Sequence, residues 1–284
     1  MSYESFTLEK DGHVANMTLC RGESFNTMTK RFWIELPEIL NEINRDPDLR
    51  AVVMSSTGKH FCAGMDLANF NNGVENISPE KKPDHARVGE VMYRVAKELQ
   101  GYITNIETIR APVIAAIQGG CIGGALDMVT ACDIRLCTKD AFFCIQEINI
   151  GMTADVGTFP RLPYLIPLGL IKELAYTGRR LQADEAINAG LVNKVFKNHD
   201  EMMVYVMDIA KQIAEKTPLA VWGSKDMINF TRGRTIEEGL DRISLWQAGM
   251  YHPDVDMKEA FEAKMEDRDA DFEDLYPLKK NFGL

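Results

Sequence analysis

Two carboxylates in an otherwise uncharged stretch are the residues whose types most suggest chemistry. They are Glu147 and Asp155, in the segment EINIGMTADVG at 147–157. A carboxylate in apolar surroundings is costly unless it is paired, hydrogen-bonded or used in a reaction. Two such acids around one pocket could exchange protons with a substrate, provided that burial raises at least one carboxyl pKa. The structural alternative is a strand-end glutamate and an aspartate that caps a helix.

A third acid and two glycine loops could complete such a site. Asp127 lies in the first turn of a helix predicted to open at Gly123-Gly124, and its ordinary role would be to offset the helix dipole. The N–H groups at that helix start could hold a developing oxyanion. A second loop, HFCAGMDL, places a glycine after another strand, so that the N–H of Met65 could face the same ligand. Either loop alone is explained by packing, but the combination favours two donors to one carbonyl oxygen.

Other site chemistries find less support in the sequence. No serine lies in a G-x-S-x-G motif, and no histidine or cysteine spacing suggests a metal site, so none is predicted. The five histidines lie singly, mostly near turns, and are expected at the surface. The six cysteines form no C-x-x-C pair and lie in apolar segments, which predicts buried, reduced thiols.

Composition bounds the class of protein. The chain has 284 residues, is 45% hydrophobic and carries a net charge of −10, which suits a globular domain with an appendage. An acidic chain without a basic block argues against nucleic-acid binding. No apolar run reaches membrane-spanning length. We see no export or transit signal in MSYESFTLEKDG, and NFGL is not a peroxisomal address, so the prediction is a cytoplasmic protein.

Strands alternating with helices predict an α/β fold with a largely parallel sheet. A hairpin with an Asp11-Gly12 turn opens the chain, and the polar segment 71–87 is predicted to be a mobile insertion. The pattern is helical from Leu168 onward, so we divide the chain into an α/β core at 1–200 and a helical region at 201–284. The other predicted elements are helices at 29–44, 88–108 and 123–131, and strands at 49–56, 111–118, 133–137 and 141–146.

The sequence resembles the crotonase superfamily, the enoyl-CoA hydratase/isomerase family, from about Ser5 to Gly249. The most specific segments are HFCAGMDL, IQGGCIGGALDMVTACDIRLCT, QEINIGMTADVGTFPRLP and GRRLQADEAINAGLVNKV. One departure is Gly22, where the family usually has a proline after the arginine. The resemblance implies a crotonase-like spiral of ββα units with a helical C-terminal region used in trimer assembly.

The resemblance also implies a ligand and a set of site residues. The ligand would be an acyl-CoA thioester, which is the substrate, so no separate cofactor is expected. Its carbonyl would accept hydrogen bonds from the N–H groups of Met65 and Gly124. Four neighbouring residues are expected to contact the substrate: Ala63, Gly64, Asp66 and Gly123. The partners implied are a homotrimer or a dimer of trimers, with no nucleic acid and no membrane.

The acids at three positions distinguish between the reactions that members of the family catalyse. Simple hydratases carry glutamates at the positions of Asp127 and Glu147 and then usually a P-G-x-G-G-T segment; here ADVGT supplies Asp155 instead. All three acids resemble those of the isomerases that convert a 3,5-dienoyl-CoA into a 2,4-dienoyl-CoA in fatty-acid degradation. Glu147 would then act at C2 and Asp155 at C6, although the two roles could be exchanged. The alternative is an enoyl-CoA hydratase; a non-catalytic acyl-CoA-binding protein and an RNA-binding protein fit less well.

Overall fold

The computed structural model describes residues 3–70 and 84–279. The predicted mobile insertion at 71–87 lies outside the described residues except for its last four positions. Asp84 caps a helix there, accepting hydrogen bonds from the N–H groups of Ala86 and Arg87, and His85 to Arg87 are already helical. The predicted start of that helix at Val88 is therefore three residues late.

The described part of the chain contains nine strands and ten α-helices. The strands are β1 Phe6–Asp11, β2 Val14–Leu19, β3 Ala51–Ser56, β4 Val113–Ile117, β5 Gly120–Ile122, β6 Ile134–Thr138, β7 Phe142–Cys144, β8 Leu181–Gln182 and β9 Lys194–Phe196. The helices are α1 Lys30–Arg45, α2 His85–Thr108, α3 Gly124–Thr130, α4 Thr158–Arg161, α5 Leu168–Thr177, α6 Ala183–Ala189, α7 His199–Ala214, α8 Pro218–Phe230, α9 Ile236–Met250 and α10 Lys258–Glu266.

The larger sheet is mostly parallel, as the alternation of strands and helices predicts. Its order is β1-β2-β3-β4-β6-β9, and only the opening hairpin β1-β2 is antiparallel. Strands β3 and β4 are buried along their whole length, which explains why they are continuous apolar runs rather than alternating ones. The predicted hairpin, helices and core strands are confirmed, with no end shifted by more than three residues.

A second, three-stranded sheet, β5-β7-β8, was missed in part by the sequence prediction. The sequence predicts a strand at 111–118 and then a helix at 123–131, with no strand between them. Instead the chain turns at Gly119, whose φ is +56°, and residues Gly120–Ile122 pair with β7. A side chain on Gly119 would lie 2.3 Å from the Lys59 carbonyl oxygen, so the turn requires glycine. This turn moves the chain from one sheet to the other beside the candidate site.

Helix α7 covers the outer face of the larger sheet. Its buried residues Met202, Val206 and Ala210 pack with sheet residues such as Val53 and Ile114 in one apolar cluster. The second half is mainly helical, as predicted, with the short strands β8 and β9 as additions. The division of the chain near residue 200 stays a prediction. None of the helices in the two described ranges has the length and apolar character needed to cross a bilayer.

Two buried cations fasten the C-terminal region to the core. Lys225 of α8 places its Nζ 2.9 Å from Asp133 Oδ2 and donates to the carbonyls of Ala111 and Ile106 at 3.0 and 3.2 Å. Arg50, next to β3, donates to Asp274 Oδ1 at 2.6 Å and to the Phe272 carbonyl at 2.7 Å. Both cations are less than a tenth exposed, so each has exchanged water for protein acceptors.

We predict that Lys225→Met destabilises the fold by about 3 to 5 kcal/mol, because it leaves Asp133 and two carbonyls without their cation. Urea unfolding at equilibrium measures the change. The matched control is Lys172→Met on an exposed face of α5, which should change the free energy of unfolding by less than about 0.5 kcal/mol. Equal effects of the two substitutions would show that α8 is not held by this contact.

Candidate active site

The loop after β3 is fixed against the start of α3 by backbone contacts. Met28 N–H donates to the Gly64 carbonyl at 2.8 Å, and Cys62 N–H donates to the Gly120 carbonyl at 3.1 Å. Gly64 has a φ of +86°, and a Cβ there would lie 2.5 Å from the Ile122 carbonyl oxygen and 3.6 Å from Gly124 N. The two glycine loops predicted to share a ligand are therefore adjacent, and glycine at 64 is what allows their close approach.

Both predicted oxyanion donors are available in this arrangement. Gly124 is the first residue of α3, so its N–H has no partner within the helix. Among the described residues, neither the Met65 N–H nor the Gly124 N–H donates to a protein acceptor, whereas Gly123 N–H is used by the Cys144 carbonyl at 2.9 Å. Two N–H groups from separate loops thus remain free to bind one oxygen. Ala63 and Asp66 flank the first donor and are partly buried.

Asp127 is completely buried on α3. Its Oδ1 accepts the Thr158 N–H at 2.5 Å, while Oδ2 has no hydrogen-bond partner among the described residues. Burial raises the pKa of this carboxyl to about 6, against the opposing effect of the Thr158 hydrogen bond. Dipole compensation, the ordinary role considered for Asp127, does not by itself account for a buried, unpartnered oxygen.

Glu147 lies at the start of the 3₁₀ helix Gln146–Ile150 and points toward the glycine loop of α3. A Cβ on Gly123 would lie 3.2 Å from Glu147 Oε1, so the carboxyl rests against the backbone there. Its Oε2 is buried and has no partner in the described part of the chain. Burial, with smaller contributions from Asp127 and Asp155, raises the pKa of Glu147 to about 7. It is not the exposed strand-end residue of the structural alternative.

Asp155 belongs to the loop that leads into α4. The N-cap residue of α4 is Gly157, so Asp155 is not the helix cap considered as its structural alternative. Its carbonyl accepts a hydrogen bond of 2.7 Å from Gln100 Nε2 on α2, which holds the loop from outside. The residue is exposed in the single chain, yet crowding by neighbouring atoms raises the pKa of its carboxyl. A cavity of about 720 Å³ opens beside it.

The arrangement suits proton transfer next to a carbonyl. The three acids are near enough that the charge of Asp155 raises the pKa of Asp127, and the charges of Asp127 and Asp155 raise the pKa of Glu147. At neutral pH such a group can hold a proton and also accept one, which an ordinary surface carboxylate cannot do. Two free N–H donors lie on the neighbouring backbone, where they could stabilise negative charge on an oxygen.

Sequence reasoning missed the residues that hold these acids in place. Gln100 carries no motif, and Thr158 and Arg161 lie in the quoted segment QEINIGMTADVGTFPRLP without having been assigned a role. Their contacts with the loop that carries Asp155 (the acid loop) and with Asp127 are visible only in the folded chain. His60, expected at the surface, is partly buried and accepts the Gly120 N–H at 2.9 Å through Nδ1. All six cysteines are free and five are buried, which confirms the prediction of reduced thiols. Burial raises the pKa of Cys62 to about 12, so that thiol is not a nucleophile at neutral pH.

One group of possible metal ligands lies away from the acids. His13, Asp48 and Asp274 each offer a ligand atom, and these atoms lie within 4.8 Å of one another. They already have protein partners, because His13 Nδ1 lies 2.8 Å from Asp48 Oδ1 and Arg50 binds Asp274. The absence of a metal site stays a prediction.

Curated relatives are similar to this chain over nearly all of its length. A protein of Arabidopsis thaliana named Delta(3,5)-Delta(2,4)-dienoyl-CoA isomerase, peroxisomal, is 40% identical over 97% of this chain and 100% of its own. A mouse protein named as the mitochondrial isomerase of the same reaction is 41% identical over 95% of this chain and 82% of its own. A crotonyl-CoA hydratase of Syntrophomonas wolfei is 32% identical over 96% of this chain and 99% of its own.

The prediction of a cytoplasmic protein is wrong. The similar isomerases are named peroxisomal in Arabidopsis and mitochondrial in mouse and human. Cytoplasm had been inferred as a default from composition and from the ends of the chain. Organelle addresses are short segments read by receptors, so the bulk charge and hydropathy of a chain carry no information about them.

Solved structures and a family profile give the same result. The crystal structure of an enoyl-CoA hydratase from Bacillus anthracis superposes with a TM-score of 0.83 at 28% identity, covering 95% of this chain and 99% of that one. This agreement confirms the predicted crotonase-like fold. The sequence profile described as Enoyl-CoA hydratase/isomerase matches residues 9–275. With relatives above 30% identity over almost the whole chain, the protein belongs to the enoyl-CoA hydratase/isomerase family.

Proposed function

We propose that this protein is an isomerase that converts a 3,5-dienoyl-CoA into a 2,4-dienoyl-CoA in fatty-acid degradation. The observation that carries the proposal is the set of three acids, Asp127, Glu147 and Asp155. Among the described residues, Glu147 and Asp127 each keep a buried carboxyl oxygen without a partner, and Asp155 stands in the next loop with a raised pKa. Relatives at about 40% identity that are named for this reaction support the same function.

In the proposed reaction the thioester oxygen binds the N–H groups of Met65 and Gly124. Glu147 removes a proton from C2, and the electron pair spreads over the conjugated chain to leave negative charge on that oxygen. Asp155 gives a proton to C6, and the remaining electrons form double bonds at C2–C3 and C4–C5. Loss of one oxyanion donor typically raises such a barrier by roughly 2.7 to 4 kcal/mol.

The two acids end the cycle with exchanged protonation states. Glu147 then holds the proton from C2 and Asp155 is ionised, so one proton must return before the next turnover. Asp127 supports the exchange, because its charge raises the pKa of Glu147. The assignment of Glu147 to C2 rests on the matching glutamate of the hydratases in this family, and the reverse assignment uses the same residues.

Substrate contacts and assembly complete the proposal. Ala63, Gly64, Asp66 and Gly123 line the thioester end, and the reaction requires no cofactor beyond the CoA thioester itself. We propose a homotrimer or a dimer of trimers. Large apolar side chains exposed on the C-terminal helices support an assembly: Ile236, Leu240, Ile243 and Leu245 on α9, and Phe261 and Met265 on α10.

Hydration of a 2-enoyl-CoA is the second candidate. The free oxygens of Asp127 and Glu147 could orient a water molecule, and a relative at 32% identity is named crotonyl-CoA hydratase. Hydration would leave Asp155 without a role in proton transfer, so the two candidates differ in what they require of that residue.

The first prediction from the proposed function concerns Asp155. The wild-type protein should rapidly bring the double bonds of a 3,5-dienoyl-CoA into conjugation with the thioester, and this change is measured by ultraviolet absorbance. It should hydrate a 2-enoyl-CoA slowly. Asp155→Asn should lower kcat for the diene about 10²- to 10⁴-fold, as expected for loss of a positioned acid or base. Binding of a saturated acyl-CoA should be kept. Turnover of Asp155→Asn near the wild-type value would remove Asp155 from the mechanism, and fast hydration without conjugation would favour the hydratase.

The second prediction is a bell-shaped pH profile of kcat/KM. The active free enzyme holds one proton on the coupled pair Glu147 and Asp155, so the rate rises as the first proton leaves and falls as the second leaves. Burial raises both carboxyl pKa values, which moves both limbs to higher pH than ordinary carboxyls give, with one limb close to 7. A profile that is flat from pH 5 to 9 would be inconsistent with proton sharing.

The third prediction is that the acid group lowers stability at alkaline pH. The folded-state pKa of Glu147 is about 7 against an ordinary 4.5, so the folded chain binds more protons than the unfolded chain between these values. Stability therefore falls as pH rises through this window. Glu147→Gln should raise the free energy of unfolding by about 1 to 2 kcal/mol at pH 8 and by little at pH 4. Urea unfolding tests this, with exposed Glu9→Gln as the control.

A further inference from the structure

Arg161 is a buried cation that lies against the loop carrying the acids but contacts none of them. It is the last residue of α4 and only 8% exposed. Its Nη2 donates to Glu107 Oε2 at 2.8 Å and to Thr104 Oγ1 at 3.1 Å, both on α2. A buried arginine is normally retained only where its charge and several donors are satisfied. The ion pair with Glu107 balances the charge of Arg161, but its buried Nε has no hydrogen-bond partner among the described residues, so the ion pair alone does not explain why an arginine lies against this loop.

The guanidinium occupies the space where a side chain at Gly157 would stand. A Cβ on Gly157 would lie 1.7 Å from Arg161 Nη1, and Gly157 has a φ of +147°, a conformation open to glycine. Arg161 can take this position only because residue 157 has no side chain, and the guanidinium in turn limits where the backbone of Gly157 can lie. Gly157 separates Asp155 from Thr158, whose N–H donates to Asp127. A shift of Gly157 would move both neighbours.

The acid loop is therefore held from α2 at two places. Gln100 Nε2 binds the Asp155 carbonyl at 2.7 Å, and Glu107 holds Arg161 against Gly157. Glu107 is itself kept ionised, since Arg161 and Arg232 lower its pKa against the effect of burial. Glu107, Arg161 and Gly157 thus form a series of contacts that ends between Asp155 and Thr158, whose N–H binds Asp127.

We propose that Arg161 is a positioning residue for the isomerisation, which sets the placement of Asp155 through its contact with Gly157. The inference rests on the proposed function for its kinetic effect, but the placement of the loop does not depend on which reaction is catalysed. A shift of about 1 Å in a catalytic group can cost about 10²-fold in rate. Arg161 touches no reacting atom and is not itself an acid or base in the mechanism.

A double-mutant cycle distinguishes positioning from general support of the fold. Arg161→Met should lower kcat for the 3,5-dienoyl-CoA about 10- to 100-fold with KM changed less than threefold. In an Asp155→Asn background, the same substitution should lower the remaining rate less than threefold, because the group that it positions is already lost. An equal loss in both backgrounds, with KM rising in parallel, would overturn the inference.

Matched variants separate the loop contact from the ion pair. Arg232→Met removes a different arginine from the same Glu107 without contacting Gly157, and its effect on kcat should be less than a third of that of Arg161→Met. Arg161→Lys keeps the charge and should restore part of the rate. Arg232→Met matching Arg161→Met in kcat would assign the effect to the ion pair alone.

Amide hydrogen exchange gives a readout that needs no turnover. In the full-length protein, Arg161→Met should speed exchange at least tenfold in peptides covering 154–161, with no change in peptides covering β3 and β4. Unchanged exchange in 154–161 would overturn the inference whatever reaction the protein catalyses. Wild-type protein that fails to isomerise the diene, with faster loop exchange in the variant, would refute the proposed function and leave the positioning role supported.

Discussion

A carboxyl group removed from water must be paired, hydrogen-bonded or neutral, and the region around α3 is organised by that constraint. Asp127 and Glu147 have little to pair with, since Thr158 binds one oxygen of Asp127 and one oxygen of each carboxyl has no partner among the described residues. Arg161 lowers the pKa of Asp127 only as the smallest of several effects, and its guanidinium donates to Glu107 on α2. Their protons are therefore retained at pH values where surface acids are ionised.

The same region keeps its donors on the backbone rather than on side chains. Two loops that follow different strands meet where Gly64 approaches Ile122 and Gly124. A backbone β-bridge between Cys62 and Cys121 joins them to the second sheet. Backbone donors held in this way require no side-chain ordering when charge develops on a ligand oxygen. The turn at Gly119 allows one continuous segment to contribute β4 to the larger sheet and β5 to the smaller one. Rigidity here thus comes from main-chain hydrogen bonds and close glycine contacts.

The sequence predicts what depends on local pattern. The opening hairpin, helix α1 and the buried strands β3 and β4 follow from turn chemistry and apolar periodicity, although the hairpin turn and the start of α1 each lie one residue later than predicted. The three acids and the two glycine loops were found because their residue types are unusual in apolar segments. Strand β5 escaped prediction, since three residues between glycines carry too little pattern to identify a strand.

Residues that act through tertiary contact cannot be found in this way. Gln100 lies 55 positions from the loop that it holds, and the partner of Arg161 lies 54 positions away. A glutamine or a glutamate on a helix surface is ordinary in a sequence. The roles of Gln100 and Glu107 become visible only because α2 packs against the acid loop. Gly157 is a similar case, because the reason for glycine there is the guanidinium that fills the space beside it.

The contact between Arg50 and Asp274 has a consequence for how the chain acquires its structure. The two residues are 224 positions apart. At ribosomal rates of about 5 to 20 residues per second, roughly 10 to 45 seconds separate the synthesis of one from that of the other. During that interval the arginine beside β3 lacks its final acceptors, while the neighbouring strands can already pair. Docking of the segment around Asp274 is therefore a late event in biogenesis, and the larger sheet must persist without it until synthesis reaches that segment.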